Sequence, residues 1–210
     1  AELKGKYVGH SAPNTKKLFE NYDVIIIDEA YSIVEENGTM DSFGNEAVAQ
    51  LIIELENHST DKLIIFAGYG GDVDEKDNRM QTFLNSNPGI KSRITSTFNF
   101  KSYSAKEMVE IFKRIAQNSN YIIQNDVDDM IEKFFESRVS MRDFGNGREA
   151  RVLLETAVIY AARRNMDLKK EQYTKKDMQA LTNSDIALAI ERLRKGYGKN
   201  EKNNNTIGFA

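Results

Sequence analysis

The first half of the chain alternates short apolar runs with stretches of helical spacing. Val24-Ile25-Ile26-Ile27 is an unbroken β-branched run, and Leu63-Ile64-Ile65-Phe66-Ala67 is a second. Such runs predict parallel strands covered on both faces. Ile94, Phe98 and Phe100 fall on one side of a third, more alternating strand. Helical spacing predicts one helix opening at Pro13, a longer one from about Gly44 to Asn57 and another over about Lys76 to Leu84, which Asn87-Pro88-Gly89 breaks. Strands and helices that alternate in this way predict an α/β core with a parallel sheet over residues 1–101.

From Ser102 onward only helical periodicity remains. Ser104 and Glu107 have the spacing of a capping box, and an apolar stripe of Met108, Ile111, Phe112, Ile115 and Ala116 follows. Val127, Met130, Ile131, Phe134 and Phe135 repeat the spacing, as do Ala150, Leu153, Leu154, Ala157, Val158 and Ala161. A last stripe after Thr182 runs through Ile186, Ala189, Ile190 and Leu193. Four amphipathic helices predict an all-α bundle over residues 102–195. The remainder, 196–210, is polar and without period, the pattern of a flexible tail.

Composition narrows the chemistry. The 210 residues hold 29 Lys+Arg against 32 Asp+Glu, a net charge of −3, which speaks against a bulk nucleic-acid or membrane-surface binder. Without cysteine there is no thiol nucleophile, disulfide framework or thiolate metal site, and His10 and His58 are too few for a histidine metal centre. The apolar runs are too short to span a bilayer, and Ala1-Glu2-Leu3-Lys4-Gly5 does not read as a signal peptide. These features predict a soluble, cytoplasmic protein.

The sharpest local feature is Ile27-Asp28-Glu29. A buried parallel strand that ends in two carboxylates delivers them to the carboxyl edge of its sheet, where open α/β folds bind ligands. There Asp28 can hold the water shell of a Mg²⁺ on nucleotide phosphates, and Glu29 can orient or deprotonate an attacking water. The same pattern also fits a strand that simply meets solvent.

Asn146-Gly147-Arg148-Glu149 reads as a helix start, with Asn146 as cap and Glu149 at the capping-box position. Arg148 then lies in the first turn, where an exposed cation costs about 0.3–1 kcal/mol against the helix dipole. A phosphate completing the site gives that placement a purpose. A solvated arginine that tolerates the penalty is the alternative, and Arg151 one turn on is a weaker candidate. Ser92-Arg93-Ile94 places a guanidinium at the start of the third strand, suited to reaching a neighbouring subunit's phosphate, although most such arginines are surface residues. Gly5-Lys6-Tyr7-Val8-Gly9 sets an aromatic and an aliphatic residue in a glycine-bounded loop, a pattern suited to gripping polypeptide or to a half-buried turn. The polar stretch Glu35-Glu36-Asn37-Gly38-Thr39 predicts a long loop after the acidic pair.

Four segments together carry a resemblance: Tyr7-Val8-Gly9-His10-Ser11-Ala12-Pro13, Ile27-Asp28-Glu29-Ala30-Tyr31, Ala67-Gly68-Tyr69, and Asn87-Pro88-Gly89-Ile90-Lys91-Ser92-Arg93-Ile94. Their order and spacing resemble the CbxX/CfqX group of AAA+ ATPases, which includes red-type Rubisco activase and the stage V sporulation protein K-like proteins. The likeness spans about residues 3–195. It implies ATP and Mg²⁺ as cofactors, Asp28 and Glu29 as the Walker B pair with Asp28 at the metal, and Arg93 as an arginine finger acting in trans. It implies Arg148 as the sensor-2 arginine on a helical lid formed by 102–195, and Tyr7 with Val8 as the pore loop. The partners it implies are a protein client in a central pore and further copies of the chain, as a hexamer, with no nucleic acid and no membrane.

Two departures qualify the resemblance. Tyr69 stands where AAA+ proteins commonly place a polar sensor-1 residue, which leaves the water-positioning role open between Tyr69 and a neighbour such as Asp72. No Gly-x-x-x-x-Gly-Lys-Ser/Thr phosphate loop occurs, so the chain reads as a module that begins after that loop, expected to bind ATP weakly and to hydrolyse little alone. Loss of the first strand and helix would also leave the core short of sheet partners. Two other functional classes remain in view: a non-catalytic assembly module and, against the acidic balance, a DNA-processing AAA+ protein.

Overall fold

The computed structural model describes residues 11–36, 39–40, 42–70, 78–124, 126–141, 144–166 and 174–204. The chain divides into two compact units, 1–99 and 100–210. In the first, helix α1 (Ser11–Asn21) opens two residues before Pro13, so the proline sits in the first turn, where its missing N–H costs nothing. Strand β1 (Val24–Ile27) follows. A 3-10 turn over Ala30–Ile33 then leads to a minimal antiparallel hairpin of β2 (Glu35–Glu36) and β3 (Thr39–Met40), where a long polar loop was expected. Helix α2 (Ser42–Asn57) buries Ala47, Val48, Leu51 and Leu55 at helical spacing.

Strand β4 (Leu63–Phe66) pairs in parallel with β1, Val24 opposite Leu63 and Ile27 opposite Phe66. Ile25 and Ile27 join the core with Phe19, Phe83 and Ile90. The other face is bare: Val24, Ile26 and Leu63 are 57%, 65% and 56% exposed. The expectation of cover on both faces is therefore met on one face only among the described residues.

Helix α3 (Arg79–Ser86) is capped by Asn78, whose side chain accepts the Gln81 N–H. Asn87 ends it as predicted but also caps a new helix, α4 (Pro88–Arg93), by accepting the Gly89 N–H at 2.8 Å. The predicted third strand is corrected here. Residues 94–100 form no ladder among the described residues, and Phe98 and Phe100 are 81% and 91% exposed. Alternation favours a strand, but only bonds to a neighbouring strand make one.

The second unit is the predicted helical bundle: α5 (Ala105–Asn118), α6 (Asp128–Glu136), α7 (Gly147–Met166) and α9 (Asn183–Asn204), with a short α8 (Lys175–Gln179). Helix α7 packs against both α5 and α9, around Phe112, Ile131, Phe134, Leu153 and Ile186. The α5 capping box forms as the sequence indicates: Ser104 N–H donates to Glu107 Oε2 at 2.8 Å and Glu107 N–H to Ser104 Oγ at 3.3 Å. Helical periodicity did not reveal a parallel two-residue pairing of β5 (Ile122–Ile123) with β6 (Ala180–Leu181). Arg164 near the end of α7 forks onto buried Asp185 at the start of α9 and donates to the Ala180 carbonyl, joining three elements. The expected flexible tail is corrected over 196–204, where helix α9 runs on to Asn204, an established helix adding one bond per further residue. Among the described residues, no helix is long and apolar enough to cross a membrane.

Candidate active site

The acidic pair stands where the strand reading placed it. Beyond β1 the chain is held to β4 by two more bonds, Ala67 N–H to Ile27 O at 2.9 Å and Ala30 N–H to Ala67 O at 3.0 Å. Between these two bonds Glu29 adopts a left-handed backbone, φ 52 and ψ 45. A non-glycine residue there costs on the order of 1 kcal/mol or more, and its surroundings must hold it. Its N–H donates to Asp28 Oδ1 at 3.0 Å, its carbonyl accepts the Ser32 N–H at 2.8 Å, and the chain is pinned just beyond by buried Ala30 and Tyr31. The outcome is an exposed Asp28 and a half-buried Glu29 fixed at the carboxyl edge of a parallel pair of strands.

Ala67-Gly68-Tyr69 leaves the neighbouring strand at the same edge. Gly68 lies in close approach to both side chains: a Cβ there would lie 2.6 Å from Met80 Sδ and 3.1 Å from Tyr31 Cε1, so the flexible Met80 side chain would have to shift. Tyr69 beyond it is 65% exposed. Asp28, Glu29 and the Ala67–Tyr69 segment are thus brought to one edge. The structure adds a residue that the sequence reading missed: the Arg79 guanidinium lies 5.3 Å over the Tyr31 ring, a cation held on the aromatic that anchors the acidic pair. No motif flags Arg79; only the fold reveals it.

Arg93 is placed differently from expectation. It ends helix α4 rather than starting a strand, Nη1 donating to Gly89 O at 3.0 Å and Nη2 pairing with Glu56 at 2.7 Å. Asn87 sets this geometry by starting a helix at Pro88, so the guanidinium folds back on its own unit.

Arg148 and Arg151 belong to the second unit, exposed in the first turns of α7. The capping expected of their neighbours is corrected. Asn146 has φ 50 instead of the extended cap conformation, and its Oδ1 accepts the Tyr103 N–H at 2.9 Å. Glu149 is buried and takes the Arg138 guanidinium, Nη2 to Oε1 at 2.8 Å, together with the Gly145 N–H at 3.2 Å. A buried cation needs a charged partner more than the helix start needs a second cap. Tyr7, Val8 and Asp72 lie outside the described residues.

As for a metal, no cluster of three or more His, Cys, Asp or Glu side chains able to hold one occurs among the described residues. An exposed carboxylate at a strand end does fit Mg²⁺, which keeps several waters and takes one or two carboxylates together with substrate phosphates.

The comparisons with known proteins agree with this architecture. Residues 1–88 match the family described as ATPase family associated with various cellular activities (AAA), and residues 104–196 match the AAA lid domain. The chain is 32% identical to a CfxQ homolog of Galdieria sulphuraria over 88% of its own length and 59% of that protein. It is 33% identical to the chloroplastic ribulose bisphosphate carboxylase/oxygenase activase of Cyanidioschyzon merolae, over 88% of this chain and 61% of that one. It is 30% identical to stage V sporulation protein K of Bacillus subtilis, over 91% and 58%. The chain thus spans about three fifths of the length of these relatives. The crystal structure of the FIGL-1 AAA domain superposes with a TM-score of 0.58 at 18% identity, over 89% of this chain and 58% of that one, a likeness of fold. Matched in order to an AAA core and an AAA lid, and related to CfxQ, Rubisco activase and sporulation protein K, the chain belongs to the AAA+ ATPases of the CbxX/CfqX (CfxQ) group.

Proposed function

We propose that this chain is the ATP-binding and ATP-hydrolysing module of a hexameric motor that remodels a protein client in the cytoplasm. The observation that carries the reading is the Asp28-Glu29 tip, with Glu29 held left-handed at the carboxyl edge of β1 and β4, in a chain of the AAA+ family. Bound Mg²⁺ supplies charge neutralisation on the nucleotide phosphates, and Asp28 is the residue that holds its water shell. Glu29 orients the attacking water and accepts its proton, with Tyr69 beside it at the same edge. Arg148, with Arg151 one turn on, contacts phosphate from the lid of the same chain. Arg93 acts on the nucleotide of the next subunit, for which it must leave Glu56. Tyr7 and Val8 grip the client.

Because no phosphate-loop motif occurs in the sequence, the isolated chain binds ATP weakly and turns it over little or not at all. In a hydrolysing assembly that contains this module, Glu29→Gln retains nucleotide and abolishes phosphate release. Undiminished release from that variant removes Glu29 from the mechanism. A second reading, a non-catalytic assembly module, draws support from the missing phosphate loop and from the pairing of Arg93 with Glu56. Tight stoichiometric binding of ATP to the chain would count against it.

A further inference from the structure

The turn that carries Arg148 is held from both sides. Glu149, behind it, takes the buried Arg138 guanidinium, which in turn lies 3.9 Å over the Tyr197 ring of α9. Asn146, in front of it, reaches across the fold: Oδ1 accepts the Tyr103 N–H at 2.9 Å and Nδ2 donates to Ser102 Oγ at 3.4 Å. Ser102 and Tyr103 immediately precede Ser104, the cap of α5, and follow closely on the end of the α/β unit at Asn99. One amide side chain therefore joins the Arg148 turn to the segment by which the chain enters the lid. The left-handed backbone of Asn146, φ 50, aims it there, a conformation that asparagine tolerates better than most residues.

We propose that Asn146 is a positioning residue that couples Arg148 to the connecting segment, so that phosphate held by Arg148 tightens the Asn146–Tyr103 bond. The proposal rests on the reading of Arg148 as a phosphate contact. By linkage, whatever phosphate does to that bond, the bond does to phosphate affinity by the same factor. Asn146→Gly keeps the left-handed backbone and deletes the link, whereas Asn146→Asp keeps the acceptor for Tyr103.

The test is amide hydrogen exchange at Tyr103, with and without millimolar MgATP, alongside titration of fluorescent mant-ATP into the wild-type chain, R148A, N146G and N146D. Asn146→Gly speeds Tyr103 exchange by about tenfold, the worth of one hydrogen bond. MgATP slows that exchange in the wild type and in N146D, and leaves it unchanged in R148A and N146G. Mant-ATP affinity in N146G falls by about fivefold or more. If R148A weakens mant-ATP binding but MgATP leaves Tyr103 exchange untouched in the wild type, the coupling is wrong and the phosphate reading stands. If R148A binds mant-ATP as tightly as the wild type, the phosphate reading falls and the coupling falls with it.

Discussion

The two units solve the burial problem differently. The lid closes on itself: its helices turn their apolar stripes onto one cluster, and the buried carboxylates of Glu149 and Asp185 each face an arginine. The α/β unit buries one face of its strand pair and leaves Val24, Ile26 and Leu63 in solvent on the other. A parallel sheet normally has both faces covered, so the contrast sets a lid whose described helices share one core against a strand pair with one face uncovered among the described residues. The same asymmetry runs through the chemistry. In the lid, charged groups fix the turn around Arg148, whereas at the strand edge Asp28 and Tyr69 are exposed.

Core truncations give the largest effects that can break this comparison. Phe112→Ala, at a fully buried lid position, is expected to cost about 3–5 kcal/mol in urea unfolding. Ile26→Thr, on the bare sheet face, is expected to stay within about 0.5 kcal/mol. A large loss at Ile26 would show that face to be covered in solution. Next, Arg138→Met strands a buried carboxylate and should cost about 3–5 kcal/mol, whereas pairing it with Glu149→Leu should restore most of the loss. A double variant as weak as the single one would mean that Arg138 acts mainly through Tyr197.

A smaller effect, about 1 kcal/mol, is expected from Ser104→Ala, which removes the α5 cap. The pH response is smaller still. Hydrogen bonds from the Ser104 backbone hold Glu107 below its usual range, the Thr174 hydroxyl does the same for Asp177, and the His58 ring does so for Asp61. A depressed folded value means that the stabilisation is present above the unfolded value, about 4, and is lost as pH falls through the folded one. Lys113 is raised by its bond to Asp128, so its contribution is present below about 10.5 and is lost as pH rises through its folded value. Melting temperatures across pH should therefore decline at both ends, and Ser104→Ala, which removes the hydroxyl's smaller share of the effect on Glu107 and keeps the backbone bond, should flatten the acid limb only in part.

The sequence made the helices legible because capping and apolar spacing are local signals: Ser104–Glu107 and the stripe through Met108 and Phe112 stand as read. Asp28 and Glu29 were legible because a β-branched run fixes where its strand ends. What a local signal cannot carry was missed or misplaced. The Phe98 segment alternates but has no ladder among the described residues, and the pairing of Ile122–Ile123 with Ala180–Leu181 is too short to show a period. Glu149 looked like a cap until Arg138 appeared beside it. Arg79 entered the site only through Tyr31, and Asn146 found its partners some forty residues upstream, at Ser102 and Tyr103.

The most direct test of the nucleotide reading is a backbone amide NMR titration of the chain with MgATP, which registers weak binding residue by residue. The reading predicts shifts that saturate together at Asp28–Tyr31, at Ala67–Tyr69 and at Arg148–Arg151. Shifts confined to other surfaces, or none at the strand edge at millimolar nucleotide, would contradict it.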